Sequence, residues 1–252
     1  MFSEKEKLMA NECALTVSMI DSGFDALSKA NISQKGLYYQ ALFSLSIGIE
    51  RLLKIILISE YRAQNDGHFP NSNRIRKYGH KLDTLLKKAD IKFFDEIDNS
   101  IINLLNEFAN TSRYYNVDIM SKGNSNNKNP LAEWERIKGL IIERYKENIT
   151  EFENRQLFDE LHKNDIFMFH NLNGEFIDKA GNLLSELKIN HQAQHLAVKH
   201  IFNIVVNMVE YLLDIRSRKY LLPDQLDFFG KYNENVLSII DLEEIDWLSP
   251  VW

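Results

Sequence analysis

The chain has 252 residues, of which 44% are apolar, and it carries only 10 glycines and 4 prolines, so it has material for a core and few breaks for long helices. A formal net charge of -6 excludes indiscriminate binding to polyanions while leaving room for a local basic patch. A single cysteine, Cys13, excludes an internal disulfide framework and a thiolate metal cluster, which fits a reducing cytoplasm.

The apolar residues Leu8, Met9, Cys13, Leu15, Val17, Ile20, Phe24 and Leu27 recur at three- and four-residue steps and predict a helix over residues 3–30. After a break at Asn31 and Ile32, Ser33 is placed to cap a second helix running to about Asn65, with Leu42, Leu45, Ile49, Leu52, Leu53 and Ile56 on its buried side and Glu50 and Lys54 as a supporting pair. The two form an antiparallel hairpin in this reading. Residues 66–78, with Gly67, Pro70 and several asparagines, read as a loop, and a short helix follows over 80–89. Residues 95–115 then carry Ile97, Ile101, Leu104, Leu105 and Phe108 at helical spacing, and the Gly-, Ser- and Asn-rich run 122–129 divides the chain into units 1–121 and 130–252.

Pro130 suits the first turn of a helix expected to continue through Trp134, Ile137, Ile141, Tyr145 and Phe152 to Leu161, long enough for a strut or a partner surface. A break over 167–173, a helix over 175–187 and a long, mostly buried helix over 191–218 complete the second unit, and Pro223 stops the last of these. The tail 228–252 mixes aromatics with Asp241, Glu243, Glu244 and Asp246, as a packing arm or an acidic docking strand would. The fold class expected is therefore all-α. Polar residues interrupt the apolar stretches 42–58 and 201–213, and the N-terminus lacks the apolar run of a secretory signal, so the expectation is a cytoplasmic protein with no membrane span.

Neither a glycine-rich phosphate loop nor a nucleophile elbow occurs, which argues against the common NTPases and hydrolases. Three features carry chemistry instead. The segment 74–88 gathers Arg74, Arg76, Lys77, Lys81, Lys87 and Lys88 against Asp83, a phosphate-binding patch or a solvated face. The run Phe108-Ala109-Asn110-Thr111-Ser112-Arg113-Tyr114-Tyr115-Asn116-Val117-Asp118 ends an apolar helix with polar and aromatic residues that no core requires. His191, His195 and His200 share one expected helix, and the four-residue step from His191 to His195 suits a metal, but no third ligand accompanies them, so they read as a solvent-facing stripe.

Gly48-Ile49-Glu50-Arg51-Leu52-Leu53-Lys54 on the second arm of the hairpin, then Gly79-His80-Lys81-Leu82, then a helix ending in Phe108-Ala109-Asn110, give residues 1–120 an order that resembles the HEPN superfamily of small helical bundles. The resemblance implies a HEPN-like antiparallel bundle, here extended by a long helix and a C-terminal helical region, a homodimer, and a role in a toxin-antitoxin or antiviral defence system. Active members carry Arg, a polar residue, three more residues and His, and cleave RNA without metal or other cofactor. On this chain those positions fall on Ala109, Asn110 and Tyr114, so the Arg and His are both replaced, and a tyrosine is a poor proton shuttle at neutral pH. An unconventional ribonuclease would draw on Arg113, Tyr114 and His80 for catalysis and on Asn110, Arg74, Arg76, Lys77 and Lys81 to hold RNA. Arg113 paired with Asp118 or Glu107 is the structural alternative, and Arg62 with His68, Arg74 with His80 and Arg155 with His162 are further Arg–His pairs. The functional alternative is a non-catalytic helical module that binds a partner protein, such as a cognate antitoxin.

Overall fold

The structure, a computed structural model, describes residues 3–92, 95–122, 128–149, 153, 155–163, 165, 169–216 and 229. Among the described residues the fold is all-α apart from one two-stranded hairpin. The tail 230–252, Pro223 and most of the linker 122–129 lie outside them.

Helix α1, Glu4–Lys29, begins at a reciprocal cap: the Ser3 hydroxyl accepts from the Glu6 amide and the Glu6 carboxylate accepts from the Ser3 amide. Helix α2, Lys35–Gln64, follows a turn organised by Asn31. Its side-chain oxygen accepts from the Ser33 and Gln34 amides at 2.9 and 3.1 Å, so Asn31 rather than Ser33 prepares the second helix. The pair lies antiparallel and close. Gly23 faces Leu45 and Gly48 faces Ile20 with no room for a side chain between them, and Glu12–Arg51 at 2.7 Å clamps the outer edge.

The segment expected to be a loop contains helix α3, Ser72–Tyr78, whose cap is the Asn71 side chain. The helix is too short to persist alone. What fixes it is tertiary: Tyr78 is buried, and its hydroxyl donates to the Leu57 carbonyl of α2 at 3.4 Å. Gly79, at φ +82°, turns the chain into helix α4, Leu82–Lys88. The first amide of α4 has no cap of its own, so Leu82 N donates to the Asn106 side chain at 2.8 Å.

Asp95 caps helix α5, Glu96–Asn110, and Ile97, Ile101, Leu104, Leu105 and Phe108 are all buried. The helix stops earlier than its periodicity suggests, because the Thr111 hydroxyl and the Asn110 amide group turn back to the carbonyls of Glu107 and Asn106. A 3-10 turn, Ser112–Tyr114, then leads to helix α6, Tyr115–Lys122.

Helix α7, Pro130–Arg144, is shorter than the long strut expected to reach Leu161. It leaves helical geometry at Tyr145, whose hydroxyl meets His200 at 3.1 Å, and helix α8, Arg155–Leu161, is separate. Leu131, Trp134, Ile137 and Ile141 are buried, so α7 is a wall of the core and presents no exposed apolar stripe. Strands β1, Phe169–His170, and β2, Phe176–Ile177, pair antiparallel where a break and a helix start were expected.

Helix α9, Ala180–Arg216, joins the two expected C-terminal helices into one. Asn190 does not interrupt it, since the side chain turns inward to Tyr38 and Lys138. It is long and apolar enough to cross a membrane, but more than half of its apolar window is buried against α1, α2, α5, α7 and α8, as befits a central bundle helix.

Candidate functional site

Three contacts mark one edge of α2. Near its start, the Tyr39 ring packs on Phe108 at 6.0 Å between centroids, and its hydroxyl accepts from the Asn116 side chain at 3.2 Å. Midway, Glu50 accepts from Lys54 at 2.6 Å and lies 2.9 Å from His80 Nδ1. Further on, the Arg74 guanidinium lies 4.6 Å above the Tyr61 ring. Positions 39, 43, 50, 54, 57 and 61 recur at helical spacing, so α2 lines these contacts up over about 33 Å at 1.5 Å per residue. Phe43, 46% exposed, fills the interval between Tyr39 and Glu50.

At the α3 end this edge opens into a cleft of about 640 Å³ lined by Leu57, Tyr61, Asn71, Arg74, Lys77 and Tyr78. Burial pushes the Tyr78 phenol above its ordinary pKa, opposed by its hydrogen bond with Arg74, so it stays a neutral donor at physiological pH. Lys88 donates to the Tyr78 carbonyl at 2.9 Å and closes the C-terminus of α3. Arg74, Arg76, Lys77 and Lys81 are all exposed. Here cations and aromatic rings interleave in a chain that is acidic overall.

His80 is exposed and belongs to the middle of this edge. A proton on Nδ1 satisfies Glu50, and Lys54 then serves the same carboxylate rather than the ring, from which it is 3.3 Å away. A carboxylate-oriented imidazole is the arrangement a proton shuttle needs. Asn110 reaches the same neighbourhood through Asn106, which accepts from the Asn110 side chain at 3.3 Å and from the first amide of α4 at 2.8 Å.

Arg113 and Tyr114 are set apart by the break at Thr111. The guanidinium lies 5.1 Å from the Tyr114 ring centroid, and Tyr114 is 60% exposed, so the ring stands open to solvent. Among the described residues no hydrogen bond, ion pair or ring contact joins His80 to Arg113 or Tyr114. Of the other Arg–His pairs, Arg62 is buried over the Phe69 ring and paired with Glu6, while His162 is paired with Asp165.

The histidines of α9 do not form a solvent-facing stripe: His195 and His200 are both buried. His200 Nδ1 lies 2.8 Å from Asp98 and its Nε2 lies 3.1 Å from the Tyr145 hydroxyl. Asp95 beside them is paired with Arg144 at 2.5 Å. Burial alone would raise the Asp95 pKa, but the Asp98 amide and Arg144 outweigh it and hold the group ionised. A second buried polar group escaped the sequence reading: Lys138 is 1% exposed, reaches Asn190 and lies 2.8 Å from Glu135 as an ion pair of proximity rather than of aligned hydrogen bonding. Lys138 had a visible signal, since it falls on the apolar stripe of Trp134 and Ile141. The Asp98–His200 pair, 102 positions apart, had none.

No family model, curated protein or solved structure matches this chain.

Proposed function

We propose that this chain is a HEPN-like protein of a defence or toxin-type system that engages single-stranded RNA along this edge of α2. The observation that carries this reading is the Arg74–Tyr61 stack on the rim of the 640 Å³ cleft, with Lys77 beside it. Single strands are held by cations that follow the phosphates and by rings on which bases stack, and this edge supplies both. Phe43 and Tyr39 continue the row of rings toward Arg113 and Tyr114.

Cleavage is the further step of the same reading. His80, oriented by Glu50, would move the proton, and Arg113 would hold the phosphate, with bound RNA or a second copy of the chain completing the site. No metal or other cofactor is needed for that chemistry.

The test is fluorescence anisotropy with a labelled single-stranded RNA at two salt concentrations, followed by gel analysis of the same RNA for cleavage. Arg74→Ala combined with Lys77→Ala is expected to weaken binding at least tenfold and to flatten its salt dependence. Wild-type protein that fails to bind at low salt, or a double variant that binds equally well, refutes the reading. If RNA is cut, loss of cutting in His80→Ala and Arg113→Ala places the reaction on the edge described.

A second reading is an interaction module that docks a partner protein, such as a cognate antitoxin. It is favoured by the 3-10 turn and helix α6, where Tyr114, Val117 and Met120 recur at three-residue steps and are 60, 55 and 79% exposed. Failure to bind RNA, with recovery of a stable complex that Met120→Asp disrupts, would put this reading first.

A further inference from the structure

We propose that Asp95, Asp98 and His200 form a binding site for a first-row divalent cation, with Arg144 as its built-in competitor. The three side chains come from the start of α5 and the middle of α9, and their ligand atoms all lie within 4.8 Å of one another. Asp98 Oδ1 and His200 Nδ1 are 2.8 Å apart. Two neighbouring ligands at right angles, each about 2.1 Å from a metal, are separated by about 3 Å, so this pair needs little movement to share one ion.

The other side of the imidazole makes the same point. With Nδ1 on an ion, the proton of the neutral ring sits on Nε2 and donates to the Tyr145 hydroxyl oxygen, 3.1 Å away. An outer hydrogen bond of this kind fixes the tautomer and the ring orientation of a ligating histidine. His200 is only 8% exposed and is held between Asp98 and Tyr145, so it is a preorganised ligand in a partly dry site. One nitrogen and two carboxylates suit manganese, iron or zinc better than magnesium or calcium, which prefer all-oxygen shells.

Two charges oppose the ion. Arg144 is paired with Asp95 Oδ2, and the N-terminus of α5 presents the positive end of its dipole to Asp95 and Asp98. The dipole is permanent, but Arg144 is 38% exposed and can leave for water. Binding then frees the guanidinium, so the site exchanges one cation for another. It lies at the end of α5 opposite Asn110, about 21 Å away along the helix, and it does not depend on the RNA reading.

The experiment titrates Co²⁺ into the full metal-stripped chain, reading visible absorbance, with calorimetry for Zn²⁺ and Mn²⁺. Wild-type protein is expected to bind one ion, Arg144→Gln to bind it roughly tenfold tighter or more because a full positive charge is removed. Asp98→Asn and His200→Gln should both lose the absorbance, with far-UV circular dichroism confirming that each variant is folded. Absence of binding in both wild type and Arg144→Gln overturns the proposal. So does binding that survives in Asp98→Asn and His200→Gln, because the ion would then sit elsewhere.

Discussion

Replacing both Gly23 and Gly48 by alanine tests the closest contact in the fold. An added Cβ at Gly23 would lie 2.5 Å from Leu45 Cγ, 2.8 Å from Leu45 Cδ2 and 3.1 Å from the Leu45 amide nitrogen, and one at Gly48 would lie 2.7 Å from Ile20 Cγ1. Carbon atoms settle at about 3.5–4.0 Å, so α1 and α2 must separate by roughly 1 Å or repack. Leu45 and Ile20 are fully buried. Overpacking of this kind costs about 1–3 kcal/mol at each position, while alanine's better helix propensity returns about 1 kcal/mol. The two costs are coupled, because one separation relieves both, so the double variant should lose about 2 kcal/mol net. For a chain of this length that lowers Tm by about 4–8 °C in a thermal melt followed by circular dichroism. Gly139→Ala is the matched control: nothing lies within 4 Å of its added Cβ, so propensity alone should raise Tm by about 2–4 °C. A double variant that melts at or above the wild-type temperature would refute the assignment of these glycines to the helix contact.

The remaining predictions concern polar groups. Desolvation raises the Glu186 pKa above its ordinary value of 4.5, only partly offset by Lys138, so the folded state prefers the protonated acid. That contribution is complete below pH 4.5 and is lost as pH rises through the folded value; Glu186→Gln should therefore match wild type in acid and exceed it in stability at pH 8, measured by urea unfolding at both pH values. Equal stability at pH 8 would show that the carboxyl is solvated. Asn106→Ala removes the side-chain acceptor for the first amide of α4 and should cost about 1 kcal/mol. The loss should appear as faster hydrogen exchange confined to α4, and unchanged protection there would show that water caps the helix equally well.

The helices with strong periodicity were legible because each repeats one local preference many times. In α2 and α5 the apolar positions at three- and four-residue steps become the buried face in the structure, as do Met9, Cys13, Val17, Ile20 and Leu27 in α1 while Leu8 and Leu15 stay exposed, and the Glu50–Lys54 pair forms as its spacing suggests. Helix α3 was not legible: a seven-residue segment with four polar or basic residues among its first five positions is held in helical form by Tyr78, buried against α2. The end of α7 was not legible either, since Tyr145 leaves the helix where it meets His200 from α9.

The candidate site divides the same way. Arg74, Lys77 and His80 could be picked out by residue type, because a basic run and an imidazole stand out in any chain. That Arg74 stacks on Tyr61 while His80 is held by Glu50, and that Arg113 is parted from both by the break at Thr111, depends on how α3, α4 and α5 lie along α2. Composition and period thus determined that this protein is a helical bundle with a basic arm, since both are sums over local choices. Only the tertiary structure decided which charges meet, because Asp98 and His200 or Tyr38 and Asn190 are brought together by helix packing across more than a hundred residues.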